Sequence, residues 1–190
     1  MTRIGILAIQ GDVAAHARAL ERVGATPVPV LAEKDLDGLH GLILPGGEST
    51  TIAKGLARLD LYETLRFFVH SGLPVLGTCA GAILLAREVE NHPVETLHGI
   101  DAVAVRNAYG TQVDSFAATA DAGAARGLED LRCVFIRAPR LKDLGDGVEV
   151  LVRVDGEPVL IRHGNVMAAT FHPELTDDPR LHELLVRSAG

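Results

Sequence analysis

The sequence predicts a three-layer α/β fold: an open, mostly parallel sheet between two layers of helices, with additional antiparallel strands in the second half. Two observations carry this. Over the first half, short apolar runs alternate with stretches of helical periodicity, the pattern of parallel strands joined by crossover helices. Over the second half, short β-branched runs follow one another across turn residues.

Arg3 to Ile9 reads as the first strand, and Val13 to Val23 as a helix with Val13, Ala17 and Leu20 on one face and Gly24 as its stop. Thr26 to Leu31 and Gly41 to Leu44 are the next strands. Tyr62 to His70 is a helix closed by Ser71-Gly72, and Leu73 to Gly77 is a strand running into a helix over Ala80 to Arg87. The later strands are Val103 to Arg106, Phe116 to Thr119, Arg132 to Ile136, Val148 to Val154, Pro158 to His163 and Val166 to Thr170. Gly145-Asp146-Gly147 and His163-Gly164-Asn165 are turn signals, the second marking a hairpin. Pro179 to Ser188 closes the chain as a helix. With no repeat, linker or low-complexity segment, residues 1–190 read as one domain.

A net charge of −7 and the absence of any basic run argue against nucleic acid as a partner. The apolar run Ile4 to Ile9 is too short for a membrane span and has no cleavage signal after it, so a cytoplasmic protein without membrane attachment is expected. The two cysteines, Cys79 and Cys133, stand in unlike settings, and a disulfide between them is not expected.

Gly77-Thr78-Cys79-Ala80-Gly81 has the form glycine-x-nucleophile-x-glycine at a strand-to-helix junction, as in the nucleophile elbow of α/β hydrolases but with sulfur in place of oxygen. Residues two positions either side of such a turn must lack side chains for strand and helix to approach so closely. The helix that follows aims free N–H groups at the sulfur, which favours the thiolate and can stabilise an oxyanion. Cys133, inside Arg132 to Ile136, has none of these features and reads as a core residue.

A cysteine nucleophile needs a base oriented by a third group. Of eight histidines, His172 alone is followed across a proline by a carboxylate, in Phe171-His172-Pro173-Glu174. An extended backbone there places His172 and Glu174 on one face. His16, His40, His70, His92, His98, His163 and His182 lack that arrangement, and no cluster has zinc-ligand spacing.

With these pieces in place, the sequence resembles the class I glutamine amidotransferases, and among them the glutaminase subunits of pyridoxal 5'-phosphate synthases. The wider class is carried by Gly77-Thr78-Cys79-Ala80-Gly81 and Phe171-His172-Pro173-Glu174. The narrower group is carried by Ala8-Ile9-Gln10-Gly11-Asp12, by Leu44-Pro45-Gly46-Gly47-Glu48-Ser49-Thr50-Thr51, by the run from Arg106 to Phe116, and by Phe135-Ile136-Arg137-Ala138-Pro139. Glu88 to His98 and Asp121 to Asp130 match no such motif.

The resemblance implies a flavodoxin-like fold and a Cys79–His172–Glu174 triad that hydrolyses glutamine through a glutamyl thioester. It implies that Gly47 and Ala80 supply oxyanion N–H groups, and that Gly46, Gly47, Glu48, Ser49, Arg106, Ile136 and Arg137 bind glutamine. An ammonium and a carboxylate at the free end of glutamine suit a carboxylate such as Glu48 and a nearby guanidinium. The implied partner is a (β/α)8-barrel synthase subunit in a double ring, which takes the ammonia into pyridoxal phosphate. Docking near Gln10, Gly11 and Asp12 is implied to turn the Gly47 peptide and switch the site on. No metal or organic cofactor is expected. The glycine loop at 46–47 could also cradle phosphate, but it lacks the Gly-Lys-Ser/Thr that would complete such a site. Two other readings remain: a glutaminase serving another pathway, and a non-catalytic flavodoxin-like thiol protein.

Overall fold

A computed structural model of the chain describes residues 1–92, 94–106, 115–121 and 123–190. Most of the Arg106 to Phe116 motif, residues 107–114, thus lies outside the described residues, as do Pro93 and Ala122 of the two unassigned segments.

A seven-stranded sheet forms the middle layer. Its strands are β1 (Arg3–Leu7), β2 (Thr26–Val30), β3 (Gly41–Leu44), β4 (Val75–Thr78), β10 (Val148–Val154), β11 (Glu157–His163) and β12 (Val166–Ala169), in the order β10-β11-β12-β4-β3-β1-β2. The pairings β2–β1, β1–β3, β3–β4 and β4–β12 are all parallel. Taken alone, these strands have the flavodoxin-like order 2-1-3-4-5, in which ligands sit outside the carboxyl ends of the strands. β11 pairs antiparallel with both β10 and β12, giving the expected antiparallel edge. The turn at Gly164-Asn165 is a two-residue hairpin, with Gly164 at φ 58°.

Alternation along the central strands divides their side chains between two cores. Ile4, Ile6, Ile43, Leu76 and Met167 pack under α1 (Val13–Arg22), α5 (Arg180–Ser188) and the antiparallel pair β7 (Ser115–Thr119) and β8 (Arg132–Ile136). Leu7, Leu42, Leu44, Val75 and Ala168 face α2 (Ser49–Arg58), α3 (Tyr62–Val69) and α4 (Ala80–Leu85), together with a small sheet of β5 (Ala86–Glu90), β6 (Ile100–Val105) and β9 (Arg140–Lys142). The three layers are as the sequence predicts. No helix among the described residues is long and apolar enough to cross a membrane.

Three local readings need correction. The helix after Cys79 ends at Leu85 rather than Arg87, because Ala86 turns extended (φ −63°, ψ 156°) and begins β5, which pairs with β6. The stretch after His172 is not extended: Pro173–Leu175 is a turn of 3-10 helix, which proline at its first position favours. Residues 49–58, without a predicted element, form α2. Glu48 caps it by accepting from the Thr50 and Thr51 amides, and Ile52, Gly55 and Leu56 form its buried face.

Candidate active site

The site is assembled from loops at the carboxyl ends of the parallel strands. β1 delivers Gln10, Gly11 and Asp12, β3 delivers Gly46 to Ser49, β4 delivers Cys79, and His172 and Glu174 follow β12. β8 adds Ile136 at its end and Arg137 just beyond. A cavity of about 350 Å³ is lined by Gln10, Gly11, Gly47, Glu48, Ser49, Cys79, Arg106, Ile136, Arg137 and His172, gathering most of the residues that sequence singled out. Asp12, Gly46, Ala80 and Glu174 do not line it, and Glu174 is joined to it through His172 Nδ1. A larger cavity, about 660 Å³, opens at the opposite end of the sheet beside His70, His98 and His163 and holds neither cysteine.

Cys79 adopts φ 47° and ψ −103°, a strained conformation for a residue with a Cβ. The elbow glycines have steric reasons for their identity. A Cβ on Gly81 would lie 1.9 Å from the Leu44 carbonyl oxygen, and one on Gly77 would lie 2.6 Å from the Gly81 carbonyl. The Sγ atom sits 3.8 Å from the Ile136 carbonyl oxygen. Ala80 is the first residue of α4, where backbone N–H groups have no intrahelical partner. Gly46 has a reason that sequence did not reveal: a Cβ there would lie 2.5 Å from His172 Cε1 and 3.3 Å from Cys79 Cβ. This glycine lets His172 and Cys79 close over the loop.

His172 Nδ1 is 2.7 Å from Glu174 Oε1. Burial opposes a charged imidazole at His172, but the neighbouring Cys79 and the hydrogen-bonded, charged Glu174 outweigh it and raise its pKa to about 10. Burial also opposes the Glu174 charge, and the hydrogen bond from His172 with the neighbouring imidazoles holds its pKa down. The pair therefore favours a protonated imidazole beside an ionised carboxylate. Cys133 is the contrast: fully buried, its thiol is pushed up to about 12, chiefly by desolvation.

Glu48 has more partners than sequence reasoning gave it. Besides capping α2, its carboxylate accepts from the hydroxyls of Thr50 and Thr51 and from Arg106 Nη2 at 3.0 Å. The Thr50 hydroxyl contributes most to holding its pKa at about 2. Gln10 Oε1 accepts from the Glu48 amide at 2.8 Å, tying the Gln10 loop to the Gly47 loop, where Gly47 has φ 146°. Asp12 caps α1 by accepting from Ala15. The Ser49 hydroxyl is buried at the cavity with no hydrogen-bond partner among the described residues, which suits a polar ligand. Among the described residues no group of three or more His, Cys, Asp or Glu is placed to hold a metal ion.

Sequence reasoning missed two histidines. His16, on α1, lies with its Nε2 3.4 Å from Glu174 Oε2, and its Nδ1 is 3.1 Å from His182 Nε2 on α5. Both are wholly buried, and desolvation lowers both pKa values, that of His182 to about 3. Both stay neutral in the fold and take up protons on unfolding, so their stabilising contribution is present above pH 6.5 and is lost as pH falls below it, for His182 toward about 3. The slope is up to about 1.4 kcal/mol per pH unit for each group. Glu174, with its lowered pKa, loses its contribution only below the carboxylate range near 4.5. His172, with a raised pKa, keeps its contribution below pH 6.5. Urea midpoints are therefore expected to fall between pH 6.5 and 5; a constant midpoint across that interval would contradict the burial of two neutral imidazoles.

The chain is 52% identical to the pyridoxal 5'-phosphate synthase subunit PdxT of Frankia alni, over 99% of this chain and 96% of that protein. It is 49% identical to the PdxT subunit of Thermus thermophilus, over 98% of this chain and 97% of that one. Among solved structures, a glutamine amidotransferase crystal structure superposes with a TM-score of 0.92 at 46% identity, covering 98% of each chain. A chain in the structure of PurLQS from Thermotoga maritima, at 17% identity and a TM-score of 0.72, shares the fold. The match to the SNO glutamine amidotransferase family runs over residues 6–189 and takes in the elbow cysteine, the imidazole beside it and its carboxylate; the chain belongs to that family.

Proposed function

We propose that this chain, as one domain over residues 1–190, is the glutaminase subunit of a pyridoxal 5'-phosphate synthase and works in the cytoplasm. The observation that carries the reading is Cys79 on its strained elbow, with the His172–Glu174 pair beside it and a cavity lined by Ser49, Arg106 and Arg137 in front. Relatives at about half identity over nearly their whole length, named as that subunit, support the choice of pathway.

Cys79 Sγ attacks the side-chain carbonyl carbon of glutamine, forming a C–S bond as the carbonyl oxygen takes up charge. N–H groups of Gly47 and Ala80 stabilise that oxyanion. His172 gives its proton to the departing nitrogen, the C–N bond breaks, and ammonia leaves a glutamyl thioester. His172 then takes a proton from water, whose oxygen attacks the same carbon, and the C–S bond breaks to release glutamate. Glu48, ionised over the whole physiological range, faces the substrate's ammonium, while Arg106 and Arg137 face its carboxylate. Ser49, Ile136 and the Gly46-Gly47 backbone complete the pocket. Ammonia passes directly to a (β/α)8-barrel synthase subunit in a double-ring complex. No cofactor enters these steps.

Docking of the synthase subunit at the Gln10-Gly11-Asp12 loop turns the Gly47 peptide into the oxyanion hole. The hydrogen bond from the Glu48 amide to Gln10 Oε1 gives that loop a direct hold on the peptide's neighbour. Glycine at 47 tolerates the change in backbone angles. One oxyanion donor is worth about 100- to 1000-fold in rate. Steady-state glutamate production at saturating glutamine is therefore expected to rise by about that factor on adding the synthase subunit, without any pentose phosphate. Equal rates with and without it would remove the gating step and leave the Cys79 chemistry standing.

A further inference from the structure

The proposed reaction uses one oxygen of Glu174, Oε1 on His172. The other, Oε2, is buried and makes no closed hydrogen bond among the described residues, which is costly for an ionised carboxylate. His16 Nε2 stands 3.4 Å from it, and the same nitrogen is 3.4 Å from Thr78 Oγ1, one residue before the nucleophile. Behind His16, its Nδ1 meets His182 Nε2 at 3.1 Å, and His182 Nδ1 has no partner among the described residues.

Of the two proton arrangements open to this chain, one leaves the smaller defect. Two neutral imidazoles have one N–H each, and an ionised carboxylate only accepts. If the unpartnered His182 Nδ1 carries no proton, its Nε2–H donates to His16 Nδ1, and the His16 Nε2–H lies between Glu174 Oε2 and Thr78 Oγ1, each 3.4 Å away. The reverse polarity would turn the Nε2 lone pair of His16 toward the Thr78 hydroxyl, which can donate to it, but would leave Glu174 Oε2 facing that lone pair and bury an unmet N–H at His182. Unmet buried donors are the rarer defect in native proteins. The charged and titratable groups around His16 fit this assignment: Asp12 at the cap of its own helix, Glu174 and His172 after β12, and His182 on α5, with Arg22 acting on His182.

We propose that His16 is a positioning residue for the triad, donating from Nε2 to the second oxygen of Glu174 with its tautomer set by His182. Glu174 is then held between two imidazoles, His172 on Oε1 and His16 on Oε2. This fixes the carboxylate plane and keeps it ionised when His172 is protonated. His16 touches neither substrate nor sulfur and acts only through Glu174. The proposal rests on the glutaminase reading.

The test is glutamate production by the complex of this chain with its synthase subunit, measured against glutamine concentration from pH 5.5 to 9.5. His16→Phe fills the space but removes the donor. Its kcat is expected to fall about tenfold, the lower end of losses seen when the outer partner of an oriented ligand is removed. KM for glutamine should stay the same. The acid limb of the profile should move to higher pH, since a carboxylate that loses a hydrogen bond binds its proton more readily. His16→Gln places an amide nitrogen near the position of Nε2 and should recover most of kcat and the wild-type limb. Unchanged kcat in His16→Phe, or equal losses in both variants with the limb unmoved, would overturn the proposal in favour of simple core packing. If neither variant folds, His182→Phe carries the test: it leaves His16 in place but frees its tautomer, so the limb should again move up, and an unmoved limb overturns the proposal. Wild-type complex that forms no glutamate would instead fail the glutaminase reading, and the proposal with it.

Discussion

Replacing Cys79 with alanine is expected to lower glutamate production by about 10⁵- to 10⁶-fold, the loss seen when a covalent nucleophile is removed from a preorganised site. The backbone at Cys79 is held at φ 47° by the close approach of Gly77, Gly81 and Leu44, so the alanine variant keeps the elbow and loses only the sulfur. No nearby group replaces it: the other cysteine, Cys133, is buried in the opposite core, with its thiol pushed up to about 12. Cys133→Ala should therefore leave kcat within about twofold and cost about 1 kcal/mol of stability through lost packing. Glutamate formation by Cys79→Ala at a rate near that of wild type would end the mechanism.

The second large effect concerns His172 and Glu174, the proposed base and orienter. His172→Asn removes the proton carrier and is expected to cost about 10⁶-fold, whereas Glu174→Gln should cost about 10⁴-fold, the difference found when an orienter rather than a base is lost. The geometry supports this ranking. A glutamine carbonyl oxygen at the place of Oε1 still accepts from His172 Nδ1 across the 2.7 Å now spanned by the carboxylate. The amide nitrogen at the place of Oε2 then faces His16 Nε2, so His16 must present its lone pair and the chain of imidazoles must reverse its polarity. Rates measured in variants with wild-type circular dichroism decide the matter; a greater loss in Glu174→Gln would mean the roles are exchanged.

Much of the site was legible because it depends on residues close in sequence. The elbow is a local steric problem, and Gly77, Cys79 and Gly81 solve it within five positions. His172 and Glu174 were paired correctly for a partly wrong reason, since a 3-10 turn rather than an extended strand brings them together. α2 was hidden because its cap, Glu48, is also a pocket residue, and because Gly55 weakens the helical pattern. That glycine is required where α2 crosses Ile9: a Cβ would lie 2.5 Å from Ile9 Cγ2. The link from His16 to His182 spans 166 positions and has no local signature. A weak signal did exist. His16 falls on the same helical stripe as Val13 and Leu20, and His182 lies beside Leu181 and one turn before Leu185, so each places an imidazole on a face meant for the core. The Arg106 to Phe116 motif, apart from its ends, has no structural counterpart among the described residues.

The covalent step is the central claim, and it is open to direct observation. The complex with its synthase subunit, mixed with glutamine and quenched in acid during turnover, can be digested and its cysteine peptides weighed. The expected result is a glutamyl adduct on the peptide containing Cys79, absent from the Cys133 peptide and lost on treatment with hydroxylamine, which cleaves thioesters. Steady glutamate formation with no adduct on Cys79, or with an adduct on Cys133 instead, would contradict the account.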